Sequence, residues 1–225
     1  MMPKIQRRPT RLAVFIPWAQ YFFLFVGVFA LSYCAFVLID RWSFQAYQTR
    51  QFERALKDSQ ISTRADPEPT PSLPISRGDA DRVRAENPPI KVLPGSTLGR
   101  IEIHSIGLTA MIMEGIDGST LRLAVGHIPG TAIPGQHGNV GLAAHRDTFF
   151  RGLRNIHKGD EIIITTLQGS SRYIVDSTRV VEPDDIKVLA ATTDNVLTLV
   201  TCYPIYFVGP APQRFIVRAH RNSEP

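Results

Sequence analysis

From Leu12 to Ile39 the chain runs for 28 residues without a charged side chain. A helix needs about 20 mostly apolar residues to cross the hydrocarbon core of a bilayer, so this run is long enough to span one. It includes Phe15, Ile16, Phe22, Phe23, Leu24, Phe25, Val26, Val28, Phe29 and Leu31. Trp18 and Tyr21 lie near one end and Trp42 just beyond the other, positions that interfacial aromatics favour. A cleaved leader would carry a shorter apolar stretch, about 7–15 residues, followed by small residues at the cut. Here Asp40-Arg41-Trp42 follows, and Leu31-Ser32-Tyr33-Cys34 puts bulky Tyr33 where a lipoprotein site needs a small residue. The run is read as an uncleaved anchor over residues 12–39.

The net charge of +5 is unevenly placed. Lys4, Arg7, Arg8 and Arg11 precede the apolar run with no acid among them, and the rest of the chain holds 21 basic against 20 acidic side chains. A nucleic-acid-binding domain carries its excess as a patch on the folded part, so no nucleic-acid partner is expected. Basic residues on one flank of an apolar helix are a topology signal, and Asp40 and Arg41 cancel on the other flank. The N-terminus is expected to be cytoplasmic and the remainder extracytoplasmic.

Residues from Arg41 to about Lys57 read as a polar helix, a stalk continuing the anchor. The stretch from Asp58 to Pro94 holds Pro67, Pro69, Pro71, Pro74, Pro88, Pro89 and Pro94 among polar residues. Proline fixes φ and removes donors, which predicts an extended spacer. Beyond Ser96 short runs alternate or are continuously apolar. Arg100–Ile106, Leu108–Met113, Asn139–Ala144, Glu161–Thr166, Arg172–Val181, Asn195–Thr201 and Arg214–Ala219 read as strands, with a turn at Gln168-Gly169-Ser170. Phe149–Ile156 and Asp184–Ala190 read as short helical pieces, and His127 and His137 fall in a Gly- and Pro-rich loop. Seven or eight short strands with few helices predict a mainly all-β sandwich or barrel.

Two cysteines are present. Cys34 lies inside the apolar run, which leaves Cys202 alone in the outer part. An unpaired thiol outside the cytoplasm is reactive, paired between molecules, or a small buried apolar group. Cys202 closes a strand and precedes Tyr203-Pro204, where proline ends regular pairing, so it is placed to face a cleft. A nucleophilic thiol needs a proton-transfer partner and a group to stabilise the oxyanion. The domain offers His104, His127, His137, His145, His157 and His220, and periodicity does not choose among them, although His145 also ends a buried-type strand. No two histidines have the helical spacing of a zinc site and one cysteine is too few for a structural zinc, so neither metal nor cofactor is expected. Alternation along the last strand does not separate Arg214 from Arg218, because residues four apart share a face.

Three motifs carry a family resemblance. Thr198-Leu199-Val200-Thr201-Cys202 resembles the TLxTC motif of sortases. Ala144-His145-Arg146-Asp147-Thr148 resembles the segment around their catalytic histidine, and Arg214-Phe215-Ile216-Val217 the last strand with its essential arginine. Gly126-His127-Ile128-Pro129-Gly130-Thr131, His145 to Phe150, Thr201 to Pro204 and Ala211 to Phe215 are most similar to class D members. The resemblance covers roughly residues 97–221. Two departures are Ala144, where the family often has Gly, and His104-Ser105, where it often has Pro.

The resemblance implies a closed eight-stranded barrel preceded by one transmembrane helix. It divides the chain into a cytoplasmic tail (1–11), an anchor (12–39), a stalk and Pro-rich linker (40–95), a catalytic domain (96–221) and a short tail (222–225). It implies Cys202 as nucleophile, His145 as general acid/base and Arg214 as oxyanion stabiliser, with Thr201, Ala144 and Tyr203 as substrate-contacting positions. The implied partners are secreted proteins bearing an LPxT-like C-terminal sorting signal and an amine acceptor on cell wall or pilin. A catalytically silent anchored peptide binder, a cysteine hydrolase without transfer and a cysteine L,D-transpeptidase are the alternatives.

Overall fold

The structure, a computed structural model, describes residues 11–64, 92–206 and 209–222. Lys4, Arg7 and Arg8 of the basic tail, and all but the ends of the stretch read as a Pro-rich spacer, lie outside the described residues. The chain forms two compact units that meet in sequence between Phe44 and Gln45.

The first unit is the apolar part of helix α1 (Arg11–Arg64). Its most apolar window has a mean hydropathy of 2.6 and none of it is buried. Phe22, Phe23, Phe25, Phe29 and Leu31 are all exposed, which in water would be an aggregation hazard and in hydrocarbon is the favourable state. At about 1.5 Å of rise per residue the uncharged run exceeds the bilayer core of about 30 Å.

The second unit begins with the remainder of α1. This stretch is helical as expected, but from Gln45 on it lies against protein. Gln45 Oε1 accepts from the Met111 N–H (3.0 Å), and Gln45 Nε2 donates to the Leu123 carbonyl. The Thr97 hydroxyl donates to Gln48 Oε1 (3.1 Å), Glu53 pairs with Arg100 (3.4 Å) and Phe52 is buried. The reason lies in the sheet edge. The partner strand of Met111 starts only opposite Ile112, and a buried amide N–H must find an acceptor. Gln45 caps that edge, while Gln48 and Glu53 reach side chains of the first strand at Thr97 and Arg100. The helix also continues to Arg64, past the expected start of the spacer at Asp58.

Eight strands follow: β1 (Thr97–Ile103), β2 (Leu108–Glu114), β3 (Val125–His127), β4 (Asn139–Ala143), β5 (Glu161–Thr166), β6 (Gly169–Val181), β7 (Val196–Tyr203) and β8 (Gln213–Arg221). They close into a barrel in the order β1-β2-β3-β4-β7-β8-β6-β5. The β2/β3 and β4/β7 pairs are parallel and the others antiparallel. Closure gives every strand two neighbours, although three-residue β3 covers only the end of β2. A short helix α2 (Gly118–Leu123), capped by the Asp117 carboxylate, joins β2 to β3. The expected helical pieces are single 3-10 segments at Phe149–Asn155 and Ile186–Leu189.

The barrel interior is filled by alternate residues. On β7 these are Leu197 and Leu199, on β4 Val140, Leu142 and then Ala144, and on β8 Val217 and Ala219. Side chains one position out of phase point to the outer face. That face of β4 and β7 is overlaid by the β6/β7 connection. Asn139 Nδ2 donates to the Val188 and Ala190 carbonyls (3.0 and 3.1 Å) and its Oδ1 accepts from the Thr198 hydroxyl (2.7 Å). Gly141 permits this overlay, because a Cβ there would lie 3.0 Å from Thr131 Cγ2 and 3.1 Å from Leu189 Cδ2.

His127 is corrected from loop to strand. It sits on three-residue β3, 2% exposed. Its Nδ1 lies 2.6 Å from Glu114 Oε2, and its Nε2 lies 3.0 Å from both the Ala132 carbonyl and Thr131 Oγ1. The Thr131 hydroxyl donates to the Ile128 carbonyl, so Nε2 faces acceptors and must carry a proton. Both nitrogens of His127 are thereby occupied in a structural contact.

Candidate active site

Strand β7 ends Thr198-Leu199-Val200-Thr201-Cys202-Tyr203. With Leu197 and Leu199 facing inward, Cys202 falls on the outer face, and it is half-buried with a free thiol. On one side of β7, β8 runs antiparallel with Cys202 directly opposite Arg214. On the other side β4 runs parallel, with Ala143 opposite Val200. The Ala144 N–H continues that ladder beyond β4 by donating to the Val200 carbonyl (3.3 Å). His145 follows two residues beyond the end of β4. Directly paired residues project to one face of a sheet. Cys202 and Arg214 are therefore neighbours on one face of the sheet, and on the other side of β7 the chain reaches His145 two residues beyond the end of β4.

The chain around His145 is held firmly. The Thr201 hydroxyl donates to the Ala144 carbonyl (2.8 Å), a buried contact tying β7 to the residue before the histidine. The His145 carbonyl accepts from the N–H groups of Thr148 and Phe150 (both 3.3 Å), closing the turn that follows. The Arg214 guanidinium donates from Nη1 to the carbonyls of Gln213 (3.0 Å) and Ala211 (3.3 Å). Both bonds are made by the one nitrogen Nη1.

The three positions read as substrate-contacting have side chains out of phase with that face. Thr201 is 2% exposed with its hydroxyl committed to Ala144, and Ala144 packs in the core. The Tyr203 ring stacks on Phe215 at 6.2 Å. Period-two alternation along β7 sets Thr201 and Tyr203 out of phase with Cys202, and Thr201 ties β7 to the residue before His145.

Two residues without an assigned role stand out beside the site. Arg146 Nη1 donates to the Pro204 carbonyl (3.0 Å) and Nη2 to the Gly209 carbonyl (2.7 Å). The Arg154 guanidinium lies 4.8 Å above the centre of the Tyr206 ring. Arg146 belongs to a motif that the sequence displays, yet residue type alone does not say that its partners are distant carbonyls. Among the described residues, no three His, Cys, Asp or Glu side chains gather in a way that could hold a metal ion.

A thiol flanked by an imidazole and a guanidinium is chemically equipped for acyl transfer. A sortase domain model matches residues 101–222. Sortase D of Bacillus subtilis (strain 168) is 28% identical over 201 residues, covering 89% of this chain and 96% of the relative. Sortase A of Listeria monocytogenes is 27% identical over 111 residues, covering 48% of this chain and 50% of its own length. Among solved structures, sortase C from Clostridium perfringens SM101 superposes with a TM-score of 0.58 at 26% identity, covering 81% of this chain and 99% of that one. A Clostridium perfringens Sortase D5 transpeptidase gives a TM-score of 0.54 at 26% identity, covering 76% and 98%.

Proposed function

The chain belongs to the sortase family, whose enzymes are cysteine transpeptidases, and from that premise we propose a membrane-anchored, class D-like sortase whose reacting groups are Cys202, His145 and Arg214. The observation that supports the assignment is the register around β7, where Cys202 faces Arg214 on one neighbour and the other neighbour, β4, ends two residues before His145.

The proposed reaction is transfer of a secreted protein from its C-terminal sorting signal, of LPxT-like sequence, to a primary amine at the cell surface. The Cys202 thiolate attacks the scissile carbonyl carbon and its electron pair moves to the oxygen. Arg214 donates hydrogen bonds to that oxyanion. Collapse expels the amine of the downstream fragment, which takes a proton from the His145 imidazolium, and a thioester remains on Cys202. The acceptor amine then attacks the thioester and gives a proton back to His145, and the Cys202 thiolate leaves. The new amide replaces the old one, so the exchange is nearly isoenergetic and needs no external energy source. Removing one oxyanion donor from such a site costs about 10²–10³ in turnover.

In this reading α1 is a single-pass anchor with the N-terminus cytoplasmic and the barrel outside. The exposed apolar helix and the basic residues ahead of it support that orientation. The test is cleavage of a fluorogenic LPxT-type peptide by the wild-type chain and by Cys202→Ala, with and without a glycine-based amine, the products being identified by mass. Cleavage that depends on Cys202, with an amine-linked product, supports the proposal. Hydrolysis alone would reassign the chain as a thiol hydrolase, and cleavage by Cys202→Ala would reject Cys202 as nucleophile.

A further inference from the structure

The connection from β7 to β8 leaves the sheet one residue after Tyr203 and returns at Gln213. It thus joins the strand bearing Cys202 to the strand bearing Arg214. Pro204, Pro210 and Pro212 lie in it and lack backbone donors with which to fasten it. Its carbonyls take donors from elsewhere. The Arg146 fork reaches two of them at once, Pro204 at 3.0 Å and Gly209 at 2.7 Å. From the 3-10 segment just beyond, Arg154 covers the exposed ring of Tyr206 at 4.8 Å. Both cations belong to the short stretch that starts at His145. The elements carrying imidazole, thiol and guanidinium are therefore strapped together outside the sheet by one planar fork and one cation–π contact.

We propose that Arg146 is a positioning residue for peptide recognition: it fixes Pro204, Tyr206 and Gly209 beside the reacting groups, with Arg154 on Tyr206 as a second tether. Arg146 touches none of the reacting atoms in this account. Its loss loosens the surface against which the sorting-signal peptide lies and leaves the thiol, imidazole and guanidinium on their strands. The effect falls on substrate binding more than on turnover. Lysine replaces the function only in part, because a single ammonium group cannot span two carbonyls as a fork does.

The kinetic half of this proposal rests on the sortase reading of Cys202, and the structural half does not. The experiment therefore has two arms on the full chain in detergent. In the first, chymotryptic nicking after Tyr206 is timed in wild type and Arg146→Ala. In the second, kcat and KM are measured with the LPxT-type peptide for wild type, Arg146→Ala and Arg146→Lys. Expected for Arg146→Ala are nicking about fivefold faster, KM raised about fivefold or more and kcat within about twofold, with Arg146→Lys between it and wild type. Unchanged nicking overturns the tether. Faster nicking with unchanged KM, or a fall in kcat alone, overturns the recognition role. Should Arg146→Ala not fold, Arg154→Ala decides by the same criteria at about twofold in KM. A wild type that never cleaves the peptide sinks the LPxT-type signal and leaves the nicking arm to judge the tether.

Discussion

Cys202 and Arg214 are direct partners in the antiparallel pairing of β7 and β8. Arg218, on the same face of β8, is paired with Thr198 instead, about 13 Å further along the strand at ~3.3 Å per residue. Register separates two arginines that alternation alone left equivalent. Arg214→Ala is expected to lower kcat by about 10²–10³. Arg214→Lys stays well below wild type, since an ammonium group lacks the fork. Arg218→Ala should remain near wild type. Steady-state cleavage of the peptide by the three variants checks this, and an equal loss in Arg218→Ala would remove the case for Arg214.

His145 and His127 should respond in opposite ways. His145 is exposed beside Cys202, whereas His127 is buried on Glu114. His145→Ala should lose about 10²–10⁴ in kcat with an unchanged melting temperature. His127→Ala strips Glu114 of its buried hydrogen-bond partner and should cost about 1–3 kcal/mol of stability, while the folded fraction keeps its turnover. Paired melting curves and active-site titration distinguish the two.

Much of the barrel is legible because one face of each strand is packed. Glu161–Thr166 alternates and matches β5 residue for residue, and Asn195–Thr201 differs from β7 by one residue at its start and two at its end. At Arg100–Ile106 the strand stops at Ile103 and a 3-10 turn takes His104–Ile106, which the hydrophobicity of Ile106 concealed. β3 was not legible, since three residues buried on both sides give no period. The stalk reading of Arg41 to about Lys57 did not show that Gln45, Gln48 and Glu53 hold Met111, Thr97 and Arg100, because polarity alone does not name a partner. The site was half legible. Cys202 could be singled out by cysteine count and strand position, but the place of His145 depends on a parallel register between segments 57 residues apart. That Thr201 faces inward follows from counting twos along β7, once Leu197 and Leu199 are known to be core.

Thr201 offers a test of the tie between β7 and the histidine. Thr201→Val keeps the shape and removes the donor to the Ala144 carbonyl, leaving that buried acceptor unpaired at about 1–3 kcal/mol. The melting temperature should fall, and Thr201→Ser, which retains the hydroxyl, should recover most of it. If Thr201→Val melted like wild type, the contact would not be holding the two strands together.

Asp117 sets an acid limit on stability. The Ser119 hydroxyl first, then the Thr120 hydroxyl and the N–H groups of both residues, hold its carboxylate well below the ordinary value of 3.8. A folded-state value below the unfolded one means that the contribution is present above the ordinary carboxylate range and lost as pH falls through the folded value. Asp117→Ala should therefore melt below wild type at pH 7, and the gap should narrow as pH drops below about 4. A gap that did not change with pH would show that the cap acts without its charge.

The most direct measurement is the intact mass of the full chain during turnover of a sorting-signal peptide, followed by mapping of the modified residue. The account predicts a transient adduct equal to the upstream acyl fragment, located on Cys202, discharged by an added amine and absent from Cys202→Ala. An adduct on any other side chain, or turnover of the peptide by Cys202→Ala, would contradict it.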